Sequence, residues 1–376
     1  MKISILTGGL LLFCAAIFAQ KPCDPNELAT RPGKWKEGMK GSTMKVQAKD
    51  AAAEMVVMNK LNDMIKTGYK PVGLVLHHSN VIGYNDAIGS NWICHPYANS
   101  IALIDYFCEN GKEKVNGENE AQAGFFLYAN SMEWIANIYG ADLEKENENG
   151  YVPLLDMPTG KNGIYYFTLK DEFKYHKTAV LITKEDVLPF SYVTRKEFLN
   201  IRRAKLEKKR AEEMAKSAKS YTVRPKAEQE AAKQKEIADL KRDNYSQPYI
   251  DRFLKDYQTD EQKRDAGLQR TSKYYDEPLK LINELLSNSS EKDLSQPAII
   301  KGQDEYDVFT GFVTDDKGVC LVKPNRAYYN KSLPKTAPQF FSVFYSWSDQ
   351  FPVSAKGIEG IRKSLDYEQL KGMIVR

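Results

Sequence analysis

The sequence predicts an α+β protein of two antiparallel-sheet units with packed helices, joined by a long charged helical hairpin. Three observations predict it. Apolar runs rich in aromatic and β-branched residues, as strands favour, recur between turn-rich stretches over residues 72–184 and again after Pro297. Residues 50–68 carry apolar side chains at helical spacing. Between the two strand-rich stretches, residues 194–290 are dominated in their first part by Lys, Glu and Ala, with a narrow apolar stripe. The 376 residues suffice for two domains.

Residues 1–19 read as a secretory signal peptide. Lys2 is followed by an apolar run to Ala19, and Ala19 before Gln20 fits a small-residue cleavage site. The run is at the short end for a membrane span. Phe13 before Cys14 is too bulky for a lipoprotein site. The chain is therefore expected in a periplasm or outside the cell, with no transmembrane segment once the signal is removed. Residues 20–48 hold three Pro and three Gly with no periodicity, and read as an irregular arm that Trp35 pins to the body.

The first α+β unit is assigned to 49–193. Val57, Met58, Leu61, Met64 and Ile65 share one helical face, with Asp50 as cap and Gly68 as terminator. Strands are expected at 72–78, 99–107, 123–140, 163–170 and 178–184. "YANS" occurs at Tyr97 and again at Tyr128, which chance explains as well as duplication.

The most legible stretch is "LPFSYVTRKEF", 188–198. Thr194 followed three residues later by Glu197 is a capping box, with Val193 and Phe198 at the staple positions. A helix then runs to about Ser220. Ile201, Ala204, Ala211, Ala215 and Ala218 form a thin stripe, interrupted by Lys208, that suits a helical hairpin. After Pro225 a second Ala- and Lys-rich helix reaches Asp243, and shorter helices are expected at 247–257, 260–272 and 277–288. The second α+β unit, 291–376, holds strands at 306–315, 318–324 and 339–347, with a turn at Asp315-Asp316. A helix capped by Asp366 with Gln369 closes the chain. This unit either packs on the first or completes its sheet.

Net charge is +4, but residues 195–243 carry sixteen Lys or Arg against nine Asp or Glu. That basic stretch names a docking face, Arg202, Arg203, Lys208, Lys209 and Arg210. Export argues against nucleic acid and for an envelope protein or an anionic envelope polymer as partner. The four cysteines past the signal, Cys23, Cys94, Cys108 and Cys320, permit two disulfides. Cys94 with Cys108 is the nearest pair, and Cys23 with Cys320 would follow. Sequence alone leaves the pairing open.

His77, His78, Cys94 and His95 are the only cluster with metal-binding residue types. Neighbours on a strand face opposite ways, so His78 with Cys94 or His95 is the combination left, and no metal or cofactor is expected. Cys94 with His176 has the residue types of a thiol nucleophile and its base. No nucleophile elbow, P-loop, dinucleotide or zinc-protease motif occurs.

"LPFSYVTRKEFL", the later "KSLPKTAPQFFSVFYSW" and the "FAQ" ending of the signal resemble segments of uncharacterised exported proteins of Bacteroidota. The resemblance covers about a tenth of the chain, implies export, and transfers no site residue. The function expected is a non-enzymatic binding or interaction protein of the cell envelope. The alternative is an exported hydrolase with an unfamiliar site near His77, His78, Cys94 and His95.

Overall fold

The computed structural model describes residues 23–38, 46–82, 93–117, 120–136, 150–169, 175–302, 309–314 and 317–375. The expected signal peptide, parts of two expected strands (137–140 and 306–308) and the Asp315-Asp316 turn lie outside them. Residues 309–314 form no strand, Phe312 making only an isolated bridge to Ile300, and the strand expected over 123–140 ends at Ala129, with a short helix at Glu133–Ala136. The class is α+β. In chain order the first elements are α1 (Pro25–Thr30), β1 (Lys34–Glu37), α2 (Ala48–Gly68), β2 (Leu74–Val81), β3 (Tyr97–Glu109), β4 (Lys112–Val115), β5 (Ala123–Ala129) and α3 (Glu133–Ala136). Then come β6 (Val152–Leu154), β7 (Thr159–Lys161), β8 (Ile164–Leu169), β9 (Tyr175–Ile182) and β10 (Phe190–Tyr192). The helical segment is α4 (Arg195–Ser220), α5 (Lys226–Arg242), α6 (Gln247–Asp256), α7 (Asp260–Asn288) and α8 (Glu291–Leu294). The chain returns through β11 (Ile299–Ile300), β12 (Val319–Pro324), β13 (Phe341–Ser348), α9 (Pro352–Ser364) and α10 (Tyr367–Gly372).

Among the described residues there are two sheets, and each combines strands from before and after the helical segment. The larger has the order β1-β2-β3-β5-β13-β9-β8-β7, with β4 paired to β3. The late strand β13 thus sits at its centre, antiparallel to both β5 and β9. The smaller joins β6, β10 and β11 around β12. Of residues 291–376, β13 thus completes the large sheet, while β11 and β12 join β6 and β10 in the small one. The reason is burial: "FFSVFYSW" is apolar on both faces, as a central strand between two packed layers must be. Two Asn-Gly turns, at Asn110-Gly111 and Asn162-Gly163, close the β3–β4 and β7–β8 hairpins with positive φ at both residues, as two-residue turns require.

One face of the large sheet is covered by α2, α9 and α10. Met58, Leu61 and Ile65 pack there with Leu76, Leu103, Phe125, Val343 and Ile361. The opposite face meets the small sheet, with Tyr128, Phe167, Leu181 and Phe344 against Phe190, Cys320 and Val322. The outer face of the small sheet carries a third cluster, where Val193, Phe198 and Leu199 meet Ile282, Ala298 and Leu321. Most of the aromatic runs are core: Tyr328, Tyr329, Phe340, Phe341 and Phe344 are all buried.

The described part of the N-terminal arm, 23–38, is not irregular. It forms α1 and then β1, which adds to β2 in parallel register, and Trp35 packs against the first core as expected. Helix α2 begins at Ala48, before the expected cap, which leaves Asp50 in the first turn where the helix dipole favours a carboxylate. The cysteine pairing also differs. Cys23 bonds Cys108, with Cα atoms 5.7 Å apart, and Cys94 and Cys320 are buried thiols. Cys94 precedes the start of β3 and Cys108 lies near its end, about 35 Å further along an extended strand. The arm reaches that far end, where the Cys23 N–H donates to the Gly111 carbonyl (3.2 Å).

The two YANS segments lie side by side, antiparallel, with Tyr97 opposite Ala129 and Ala98 opposite Tyr128. Their asparagines do different work. The Asn130 amide donates to the carbonyls of His95 and Ala337 (both 3.0 Å) and accepts from the Gln339 N–H (2.7 Å). Buried at φ +57°, it pins three chain segments together.

Candidate functional site

Two places carry candidate function: the polar groups between α2 and the large sheet, and the helical arm.

Glu54 is the residue that sequence reading missed. It is fully buried, and its Oε1 accepts from His95 Nδ1 at 2.8 Å. A signal was present. Glu54, Met58, Leu61 and Ile65 follow the i, i+4, i+7, i+11 spacing of the buried face, so a carboxylate occupies a core position. Beside it the Tyr97 phenol is held well above its ordinary pKa, chiefly by burial and then by the Glu54 charge, and it donates to the Thr336 carbonyl (3.0 Å). Further along α2, Asn99 donates to Asn80 Oδ1 (2.9 Å) and to Asn62 Oδ1. A carboxylate that fixes an imidazole through Nδ1 is an arrangement able to hold a proton at a set place.

The other predicted residues do not join this pair. Cys94 turns into the opposite core, and burial pushes its thiol far above the range where a thiolate forms. That removes it as a nucleophile. His176 stacks on Trp347 (5.0 Å) and donates to Asp349 (2.8 Å). Its register, six residues along β9 from Ile182, sets it about 20 Å down the sheet from the row that holds Tyr97. His78 lies on the α2 side of β2, where Lys66 Nζ approaches Nε2 and Nδ1 donates to the Lys36 carbonyl, both at 3.4 Å. His77 faces the other way. Among the described residues, no group of three His, Cys, Asp or Glu is placed to hold a metal ion.

His78 carries a pH prediction. Burial, and then the Lys66 charge, lower its pKa from 6.5, while Glu37 and the Lys36 carbonyl oppose the shift weakly. A group that folding keeps neutral contributes its full stability above the unfolded pKa. That contribution fades as pH falls from about 6.5 toward the lower folded value. Thermal unfolding should therefore show a steeper loss of Tm below pH 6.5 in the wild type than in His78→Gln. The difference should be under about 1 kcal/mol because solvent screens the pair. Equal slopes would show that the pair does not couple to folding.

The arm begins as the sequence predicts. The Thr194 hydroxyl accepts from the Glu197 N–H (3.2 Å), and Val193 and Phe198 are both buried in one cluster. Only half the capping box forms, because the Glu197 carboxylate turns to Lys323. α4 and α7, about 39 and 43 Å long, pair antiparallel. Arg210 bonds Asp276 (2.7 Å) and Ser272 (2.6 Å), and Tyr221 packs on Gly267. The partner of α4 is thus α7 and not the second helix after Pro225. Residues 260–288 form one helix through Pro278, since a continuous seam of Tyr275, Pro278, Leu279 and Ile282 is buried. That burial offsets the roughly 3 kcal/mol a mid-helix proline costs. At the tip, Gln229 links Arg224, Asp260 and Glu261, and Tyr245 and Tyr249 stand half-exposed with ring centroids 4.8 Å apart.

The five predicted docking cations do not form one face. Arg202 is buried at the arm's base, Arg210 is turned to Asp276, and Arg203 donates to Asn200 (3.1 Å). Lys208 and Lys209 face outward. The alanine stripe is also outward: Ala204, Ala211, Ala215 and Ala218 are all exposed. α7 instead packs on the side of α4 that holds Arg210 and Tyr221.

No protein-family model, curated protein or solved structure matches this chain.

Proposed function

We propose that this chain is an exported interaction protein of the cell envelope, and that the α4–α7 arm is its docking element. One observation carries the reading. The buried residues of α4, Phe198, Leu199 and Arg202, lie in its first two turns, Leu206 is the last side chain packed on that base, and the remaining turns extend beyond it alongside α7. Two long helices held at one end present far more surface than the core needs. The arm's tip adds exposed Tyr245 and Tyr249, a residue type enriched at binding hot spots. Export is supported by the signal-like residues 1–19 and by the Cys23–Cys108 bond, which suits an oxidising compartment. Among the described residues no helix is long and apolar enough to cross a membrane, so envelope association would be through surface contact.

The test shortens the arm without disturbing its base. Because α4 and α7 are antiparallel neighbours, residues 209–276 can be replaced by a short Gly-Ser turn across the ~10 Å between adjacent helices, which keeps Leu206, Pro278, Leu279 and Ile282 at the base. The full chain is expected to sediment with the envelope fraction and the shortened chain to remain in the soluble one. Equal sedimentation of both would overturn the reading.

A further inference from the structure

Helix α4 carries ten Lys or Arg against four Asp or Glu, and the structure sorts these charges by side. At 3.6 residues per turn, Lys208, Lys209, Lys216 and Lys219 fall within an arc of roughly 100°, on the side away from α7. All four are exposed. Over 205–219 that arc holds only charged side chains, the remaining two being Lys205 and Glu212. The pairs Lys208–Glu212 (3.9 Å) and Lys216–Glu213 (3.8 Å) are long and solvent-exposed, so they hold the lysines weakly. The adjoining strip is alanine, which leaves the ammonium groups standing clear of a low surface.

We infer that this lysine face of α4 docks on an anionic phospholipid surface. The inference rests on the arm being a docking element, and names what the arm touches. The arc lacks the aromatic anchors that protein interfaces use, and lysine is depleted from such interfaces. It also lacks the large apolar side chains an inserted amphipathic helix buries. What remains is a straight row of cations about 16 Å long. Such a row complements a plane of phosphate headgroups, where each lysine adds attraction within a Debye length.

The experiment is co-sedimentation of the full mature chain with vesicles of phosphatidylcholine, with and without phosphatidylglycerol. It is repeated at two salt concentrations and with the variant Lys208→Gln, Lys209→Gln, Lys216→Gln, Lys219→Gln. Glutamine keeps helix propensity, and an unchanged circular dichroism spectrum confirms the fold. The wild type should bind only the phosphatidylglycerol vesicles and lose binding at high salt. The variant should bind at least about 100-fold more weakly. Equal binding by variant and wild type would overturn the inference, and so would no binding to the anionic vesicles. If the vesicles fail while envelope sedimentation still depends on the arm, the docking reading stands and only the lipid assignment falls. If both fail, the arm is a spacer.

Discussion

Replacing Cys23 and Cys108 with serine is expected to lower the unfolding free energy by about 3–5 kcal/mol. The bond spans 85 residues, so in the unfolded chain it closes a loop containing α1, β1, α2, β2 and most of β3. A crosslink over a loop of that length removes on the order of 4–5 kcal/mol of chain entropy from the unfolded state, before native strain is considered. In the native fold the same bond ties the N-terminal arm to the β3–β4 turn. That end is also held by β1 pairing, by buried Leu28 and by Arg31, which pairs with Glu113 and lies over Tyr106, but none of these constrains the unfolded chain. Urea denaturation of the double variant beside the wild type, with and without reductant, measures the effect. The wild type in reductant should match the variant. An unchanged midpoint in both would mean that β1 pairing and Trp35 packing hold the arm without the crosslink.

The second large effect is at Asn130. Asn130→Ala should cost about 3–5 kcal/mol, near the upper end for a single substitution. The amide satisfies two carbonyls and one N–H, belonging to His95, Ala337 and Gln339, at a buried position. Each buried backbone group left unpaired costs about 1–3 kcal/mol. The φ of +57° adds a smaller term, since alanine tolerates that region poorly. Asn130→Gly separates the two terms, because it loses the same hydrogen bonds while accepting the backbone angle. It should recover about 1 kcal/mol relative to alanine. Chemical denaturation of the three proteins decides it. Equal loss in both variants would show that φ plays no part, and loss below about 1 kcal/mol would show that water replaces the amide.

Asn130 also shows why the candidate sites were only partly legible. Its sequence setting, YANS, is identical to that of Asn99. Yet one amide brackets backbone from distant segments and the other joins a side-chain triad with Asn62 and Asn80. Nothing inside the shared four-residue motif distinguishes them. Glu54 is the converse case. A carboxylate on the buried spacing of α2 was visible in the sequence, and only its partner, forty-one residues on, was not. The basic face lay between these. The charge excess of 195–220 was readable, but which cations point outward depended on which side α7 takes.

The sequence by itself determined the class of the fold, the start of α4 at Thr194 and the end of α2 at Gly68. These are decided within one or two turns of chain, by capping hydrogen bonds and the period of the apolar residues. Only the tertiary structure decided that β13 enters the centre of the first sheet, that Cys23 takes Cys108, that α4 pairs with α7, and that Lys208, Lys209, Lys216 and Lys219 are left facing out. The physical reason is that strand order and helix partners are chosen by burial between faces far apart in the chain. An apolar strand or helix face states that it must be covered, and many distant segments satisfy that demand equally well until the whole core is assembled.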